Sequence, residues 1–300
     1  MSEKTVLVFS ERPFDLKEIL GKAKKVAAKL VAMPWGDEAA AATAGADEVC
    51  LVKGAQAHKS DSQAAAKALV AAVKEYQPAA VLFGATKLGM EIASRAAESA
   101  KAAYATWVVD FSLDGAVSAK SMMYSGSGIA SMEFKSAVVF LGIAPGVFEA
   151  PELSGSPAVK ELAVDFGASA LSVLEVKPKA ATGARLEEAK LVLDVGQGVK
   201  EKADLAMIED LAATLDGQLA CSRPVASDRD WFPEWLGLSG KKIKPELCLT
   251  LGISGSIQHI VGIRESRVIA SVNIDENAGI FSQADYGVVG DLYEFLPAFK

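Results

Sequence analysis

The sequence predicts an α/β protein of two domains: an N-terminal parallel-sheet domain with an antiparallel β extension, then a second α/β domain. Its 300 residues are about twice the length of an average domain. Short β-branched runs alternate with Ala-rich segments, a pattern typical of parallel sheets with helical crossovers. The alternation restarts after a polar Pro/Gly/Ala stretch. We therefore expect domains at 1–178 and 186–300, with a linker at 179–185.

The first domain begins with four strands separated by helix-length segments. The expected strands are Thr5–Ser10, Leu30–Pro34, Glu48–Val52 and Ala79–Ala85, and two of the expected helices are Asp15–Lys29 and Asp61–Tyr76. The small-residue turn at 84–89 lies at the carboxyl end of a strand, where open α/β sheets bind ligands. A tight strand-to-helix connection is its more ordinary interpretation.

From Tyr104 onward the pattern becomes β-rich. Expected strands are Ala105–Phe111, Ala116–Tyr124, Ala137–Ile143 and Leu162–Asp165. They leave no room for long crossovers, which predicts an antiparallel extension. The run from Tyr124 to Gly128 lacks the Gly-Lys-Ser/Thr ending and the following helix of a phosphate-binding loop, so we interpret it as a hairpin turn.

The second domain repeats the α/β alternation. The expected strands are Lys190–Val195, Gln218–Ser222, Leu247–Gly252, Arg267–Asn273 and Gly287–Asp291, and the expected helices are Glu201–Leu215 and Gly255–Ile263. A loop-rich stretch is expected at 226–235. The residues after Asp291 allow a closing helix of only one or two turns.

Composition excludes several classes of protein. Residues are 51% hydrophobic and 23% charged, which is typical of a soluble globular chain. The net charge is -7, and residues 186–300 hold 11 basic and 18 acidic residues, so the whole acidic excess lies there. This charge argues against nucleic-acid binding. The longest apolar stretch, at 137–148, is too short and too interrupted by Gly and Pro to span a membrane.

The cysteines and histidines predict neither a disulfide framework nor a metal site. Cys50, Cys221 and Cys248 are widely spaced, and His58 and His259 lie in different halves of the chain. No export signal precedes the first strand. We therefore expect a reduced, metal-free, cytoplasmic protein.

The segment from Cys248 to His259 is the strongest candidate for chemistry. Gly252 and Gly255 would let a ligand approach the backbone, and Ser254 could cap the following helix, whose first N–H groups would bind an anion. Such turns are also common structural features. His259 can lean toward the same ligand, and we expect a neutral ring because helix N-terminal amides disfavour the imidazolium. An ordinary core or surface histidine is the alternative.

Other polar residues are expected at the same sheet edge. Arg223 follows a strand and supplies a fixed positive charge, and Ser239 offers a hydroxyl from a loop. Asn273 ends another strand, and Asp291 follows the last one. Surface ion pairs and ordinary loops would explain each residue singly, whereas together they suggest one extended ligand.

Taken in order, these residues resemble the α subunit of electron transfer flavoprotein. The resemblance rests on Ser222-Arg223, on 244–247, on Gly252-Ile-Ser-Gly-Ser-Ile-Gln-His259, on Asn273, on Asp285-Tyr286-Gly287 and on Asp291-Leu292. It is dense over the second domain and only topological over the first.

This resemblance implies a Rossmann-like FAD-binding domain and a carrier with no catalytic residues. The carrier would pair with the electron transfer flavoprotein β subunit as a heterodimer. It would take electrons from dehydrogenases, such as acyl-CoA dehydrogenases, and pass them to a quinone oxidoreductase or another acceptor. The implied FAD-binding residues are Ser222, Arg223, Gly237, Leu238, Ser239, Gly252, Ser254, Gly255, Ser256, Ile257, Gln258, His259, Asn273, Asp291 and Leu292.

The resemblance also implies a role for each region of the site. Ser254 to His259 would line the diphosphate and ribityl region, with His259 near the pyrimidine carbonyl. Ser239 would reach the flavin N5, and Arg223 would lie beside the ring. The adenosine end would be held by Asn273, Asp291 and Leu292.

Two departures from the family pattern leave alternatives open. Gln197 stands where the family has an arginine, and Leu238 stands where it has an amide. A nucleotide-binding module that has lost flavin is therefore one alternative. An NAD-dependent or thiol-dependent enzyme using Cys221 or His259 is another, although no G-x-G-x-x-G motif opens a helix after a strand.

Overall fold

A computed structural model describes residues 4–36, 41–167, 174–175, 186 and 189–299. The chain divides into two compact units, Met1–Val176 and Lys177–Lys300. The expected linker at 179–185 lies outside the described residues. No helix among the described residues is both long enough and apolar enough to cross a lipid bilayer.

The first unit is built on a nine-stranded sheet with the order β7-β6-β5-β8-β4-β1-β2-β3-β9. Its strands are β1 Thr5–Ser10, β2 Lys29–Pro34, β3 Glu48–Val52, β4 Ala80–Gly84, β5 Ala103–Ser112, β6 Ser118–Met123, β7 Gly128–Glu133, β8 Val139–Ile143 and β9 Ala158–Leu162. The four N-terminal strands are parallel, as predicted. Buried apolar side chains cover both faces of these strands, as expected for a parallel sheet.

The antiparallel extension is smaller than predicted. Strands β5, β6 and β7 are antiparallel, and the run after Met123 forms the predicted hairpin turn between β6 and β7. Strand β8, however, pairs in parallel with both β4 and β5, and β9 pairs in parallel with β3 at the far edge. The antiparallel assignment of 137–143 is therefore wrong, and of the strand expected at 162–165 only Leu162 lies in a strand, the parallel β9. The five residues of β8 are all buried, which suits an interior strand.

Among the described residues of the first unit, the strands are connected by the helices α1 Pro13–Ala23, α2 Ser62–Tyr76 and α3 Lys87–Ser99. Helix α1 ends before the expected Lys29 because the chain must turn to bring Lys29 beside Thr5 in the sheet. The Thr86 hydroxyl accepts the Gly89 N–H at 2.8 Å and caps α3. The turn at 84–89 is thus a tight strand-to-helix connection.

The second unit has a five-stranded parallel sheet with the order β11-β10-β12-β13-β14. Its strands are β10 Leu191–Val195, β11 Gln218–Cys221, β12 Leu247–Leu251, β13 Ile269–Asn273 and β14 Tyr286–Val289. Its helices are α4 Leu205–Thr214, α5 Arg223–Ser227, α6 Ile257–Ile263 and α7 Leu292–Phe299. The predicted α/β alternation is confirmed. Helix α5 was not predicted, and its end occupies the start of the expected loop at 226–235.

Candidate functional site

Two turns meet at the carboxyl ends of β10 and β12. The Gly196 N–H donates to the Leu251 carbonyl at 2.8 Å, and the Gly198 N–H donates to the Gly252 carbonyl at 3.1 Å. Gly252 has φ +67°, and a Cβ atom there would lie 2.6 Å from the Cα of Gly198. Only glycine combines this backbone conformation with so close an approach.

A cavity of about 520 Å³ opens beside these turns. Its size is in the ordinary range for small-molecule sites, about 300–1,000 Å³. It is lined by Gln197, Ser222, Arg223, Pro224, Trp235, Leu236, Gly237, Leu238, Ser239, Gly252, Ile253, Ser254, Ser256, Gln258 and His259. None of these residues is acidic, although the second domain carries all of the excess negative charge. The cavity therefore suits an anionic ligand.

The structure brings ten of the fifteen predicted site residues together around this cavity. They are Ser222, Arg223, Gly237, Leu238, Ser239, Gly252, Ser254, Ser256, Gln258 and His259. The other five do not line it: Gly255, Ile257, Asn273, Asp291 and Leu292. For all fifteen residues, binding of a cofactor stays a prediction.

The three residues expected at the adenosine end have other contacts. The Asn273 side-chain amide donates to the Ile253 carbonyl at 2.7 Å and so fixes the turn after β12. The Asp291 carboxylate accepts the Tyr293 N–H at 2.9 Å at the start of α7. Leu292 is buried in the core, so its side chain does not reach the cavity.

Gly255 and Ile257 lie in the turn itself but outside the lining. Gly255 has φ +87°, and a Cβ atom there would lie 2.1 Å from the Ile280 nitrogen. Its role in the structure is to let two backbone segments touch. The Ile257 side chain is 80% exposed at the first position of α6.

The turn between β12 and α6 presents a row of backbone donors. Helix α6 begins at Ile257 after Ser256, with no side-chain hydrogen bond at its cap, so the expected capping by Ser254 is wrong. The N–H groups of residues 254–258 donate no hydrogen bond to any part of the chain that the structure describes. Ser254, Ser256 and Gln258 are exposed. These amides are available to an anion.

Arg223 and Ser239 lie on the cavity wall formed with Trp235. The Arg223 guanidinium carbon lies 5.8 Å from the centre of the Trp235 ring, and this side chain is exposed. The Trp235 indole N–H donates to the Ser239 hydroxyl oxygen at 3.3 Å. Because that oxygen acts as an acceptor, the Ser239 proton is free to donate to a ligand.

This wall is attached to helix α6 through backbone contacts. The Leu238 N–H donates to the Gln258 carbonyl at 2.7 Å, and a Cβ atom on Gly237 would lie 2.7 Å from the same oxygen. The Gly237 N–H also donates to the Lys241 carbonyl at 3.0 Å. The backbone N–H donors of the turn and the cavity wall that carries Arg223 are therefore connected directly to each other.

His259 is buried and paired with an acid. Its Nε2 lies 2.7 Å from Oδ2 of Asp194, and neither side chain is more than 6% exposed. Burial alone would lower the His259 pKa, but the charge of Asp194 and its hydrogen bond raise that pKa above the ordinary value. The carboxylate thus favours the imidazolium, in contrast to the neutral ring expected from the helix amides.

Sequence reasoning missed Asp194 and four lining residues, Pro224, Trp235, Leu236 and Ile253. Of these four lining residues, Pro224, Leu236 and Ile253 are apolar, and an apolar residue in the sequence does not indicate a site. Asp194 does carry a signal, because it is a charged residue inside the otherwise apolar strand Leu191–Val195. A charge in a strand buried on both faces needs a partner.

Both units of the chain match known protein families. Residues 11–166 match the family model of the electron transfer flavoprotein domain, and residues 185–264 match that of the electron transfer flavoprotein FAD-binding domain. The putative electron transfer flavoprotein subunit YdiR of Escherichia coli K12 is 36% identical over 98% of this chain and 96% of its own. Protein FixB of Salmonella typhimurium is 34% identical and that of Escherichia coli O157:H7 33% identical, over the same shares of the two chains. The chain therefore belongs to the electron transfer flavoprotein family, as an α-type subunit.

Proposed function

We propose that this chain binds FAD in the cavity of its second unit and carries electrons as one half of a heterodimer with an electron transfer flavoprotein β subunit. Dehydrogenases, such as acyl-CoA dehydrogenases, would be the donors. A quinone oxidoreductase or another carrier would be the acceptor. The family membership supports the electron-carrier role and the β-subunit partner, and FAD binding rests on the cavity as well.

The observation that carries the proposal is the set of anion-binding groups around a cavity without acids. The N–H groups of residues 254–258, which donate to no described part of the chain, would hold the diphosphate of FAD, with Gly252 beside them in the cavity lining. Arg223 and Ser239 lie on the wall where a ring system would rest. The residues present therefore fit a long, anionic dinucleotide.

Bound FAD would supply the redox chemistry. The chain's own residues would set how easily FAD is reduced. Arg223 places a fixed positive charge on the wall and so favours the more negative, reduced state of the ligand. Ser239 donates one hydrogen bond and is oriented by Trp235. Trp235 and Leu236 supply apolar surface that keeps water from the ring.

The thiol-dependent alternative is not supported by the environment of the cysteines. Burial, with the nearby Asp194 charge, raises the pKa of Cys221 to about 12, and burial raises the pKa of Cys248 well above its ordinary value. Neither thiol would ionise at neutral pH, and the thiolate is the nucleophile. The module that binds a nucleotide without flavin remains an alternative, because Gln197 on the cavity wall is uncharged.

The test is to express the full chain with a β subunit of the family and to measure bound flavin. We expect a yellow heterodimer with the absorption bands of FAD, which bleach when an acyl-CoA dehydrogenase and its substrate are added. A colourless complex that also refuses added FAD would contradict the proposal. If such a complex bound ADP, the flavin-free nucleotide module would be the correct assignment.

A further inference from the structure

Buried polar side chains cross the second sheet in one row. Asp194 on β10 is in register with Thr250 on β12, which is in register with Ser271 on β13, and all three are at most 2% exposed. The Thr250 hydroxyl donates to the Ser271 oxygen at 2.8 Å. These two hydroxyls satisfy each other, whereas Asp194 extends to His259 on α6. The row therefore ends in an ion pair.

Burying this pair in the core costs desolvation free energy that apolar side chains would not cost. Two polar atoms of this pair, Oδ1 of Asp194 and Nδ1 of His259, have no hydrogen-bond partner in the described part of the chain. A buried carboxylate with one hydrogen bond is stable only beside a cation, and two apolar residues of the same volume would pack at least as well. The pair therefore points to a role other than stability.

The pair has a defined orientation relative to the cavity. His259 lines the cavity, whereas Asp194 does not and is completely buried. The imidazolium end thus lies at the wall, and the carboxylate end lies inside the sheet. An anion in the cavity is closer to the imidazolium than to the carboxylate. The pair therefore attracts the anion, although the net charge of the pair is zero.

Among the described residues, the charged and ionisable groups near this pair are two thiols, one arginine and a second ion pair. The thiols of Cys221 and Cys248 are kept neutral, as described above. Arg223 lines the same cavity with a permanent positive charge. In the loop packed on α6, Lys241 and Glu234 form an ion pair with each other at 2.6 Å.

We propose that Asp194 is a positioning residue of the site: it holds His259 as an imidazolium through Nε2 and so fixes the positive end of a buried ion pair at the wall of the cavity. The ion pair itself follows from the geometry of this chain. Its effect on a flavin rests on the proposed function.

The first experiment reads the pair without any ligand. The chain contains only two histidines, His58 and His259, so ¹⁵N-histidine labelling of the full chain gives two spin systems, which an H58N variant assigns. We expect both ring nitrogens of His259 to be protonated at neutral pH. In an Asp194→Asn variant, the change of His259 to the neutral ring should occur at lower pH, while the His58 signals should match those of the unaltered chain. A neutral His259 in the unaltered chain would overturn the proposal even if Asp194→Asn fails to fold.

The second experiment measures the potential of FAD bound to the heterodimer. Asp194→Asn should shift the potential to more negative values at pH 8, and the shift should shrink as the pH is lowered and His259 regains its proton. Thr250→Val is the matched control, since it removes a neighbouring group of the same polar row, and it should leave the potential unchanged. Equal potentials for the unaltered and Asp194→Asn proteins, or an equal shift with Thr250→Val, would overturn the proposal. A preparation without FAD would contradict the proposed function and leave the NMR result to decide on the ion pair.

Discussion

The contact between the two glycine turns can be tested by Gly252→Ala, with Gly115→Ala as the matched control. Both glycines have a left-handed backbone, with φ +67° at 252 and +66° at 115. A Cβ atom at 115 would have no heavy atom within 4 Å, whereas one at 252 would lie 2.6 Å from the Gly198 Cα. The two variants therefore share the backbone strain and differ only in the overlap.

The expected cost follows from these two contributions. A non-glycine residue in the left-handed conformation costs about 1–2 kcal/mol. Carbon atoms prefer a separation of about 3.5–4.0 Å, so the turn at 196–198 must move by about 1 Å, which also weakens the hydrogen bond from Gly198 to Gly252, worth about 1 kcal/mol. Gly252→Ala should thus lower the free energy of unfolding by about 3 kcal/mol, and Gly115→Ala by about 1–2 kcal/mol.

Chemical denaturation of the full chain, followed by circular dichroism and tryptophan fluorescence, measures both values. Trp231 and Trp235 lie in the second unit and report on its unfolding. The same variants provide a second readout, since a displaced turn should weaken FAD binding at least tenfold in Gly252→Ala and not at all in Gly115→Ala. If Gly252→Ala were no more costly than Gly115→Ala and bound FAD equally well, the close approach of the turns would have no role in building the site.

Three further predictions concern charge in the cavity. Arg223→Ala should lower the potential of bound FAD because a fixed positive charge is lost from the wall, and an unchanged potential on redox titration would place Arg223 away from the ring. His259→Leu leaves the Asp194 carboxylate buried without its partner and should lower the free energy of unfolding in urea by about 3–5 kcal/mol. A His259→Leu, Asp194→Leu double variant should regain most of this stability. Equal stabilities of the single and double variants would contradict the pairing. Since the folded state raises the His259 pKa, the unaltered chain should lose stability relative to the double variant as the pH rises from about 6.5 through that raised value, and denaturation at several pH values checks the sign.

Strand positions in the first unit were predicted more reliably than strand directions. The bounds of β1 and β3 agree with the sequence pattern, because β-branched runs between turn residues define a strand locally. The direction of β8 was wrong because the same apolar run suits an edge or an interior position. Its place between β4 and β5 depends on pairing with strands more than thirty residues away, which no local pattern records.

The candidate site shows the same division between local and long-range information. Gly252 and Arg223 are predictable from the sequence because each follows a strand, and the sites of parallel sheets lie just after strands. Asp194 lies one residue before the end of β10 and is 65 positions from His259, so the sequence shows an acid in an apolar strand without showing its partner. The partner follows only when helix α6 is placed on the face of the sheet that Asp194 shares with Thr250. A buried charge inside a predicted parallel strand is therefore a useful signal for a site, because its cost must be offset by a group that only the fold can bring to it.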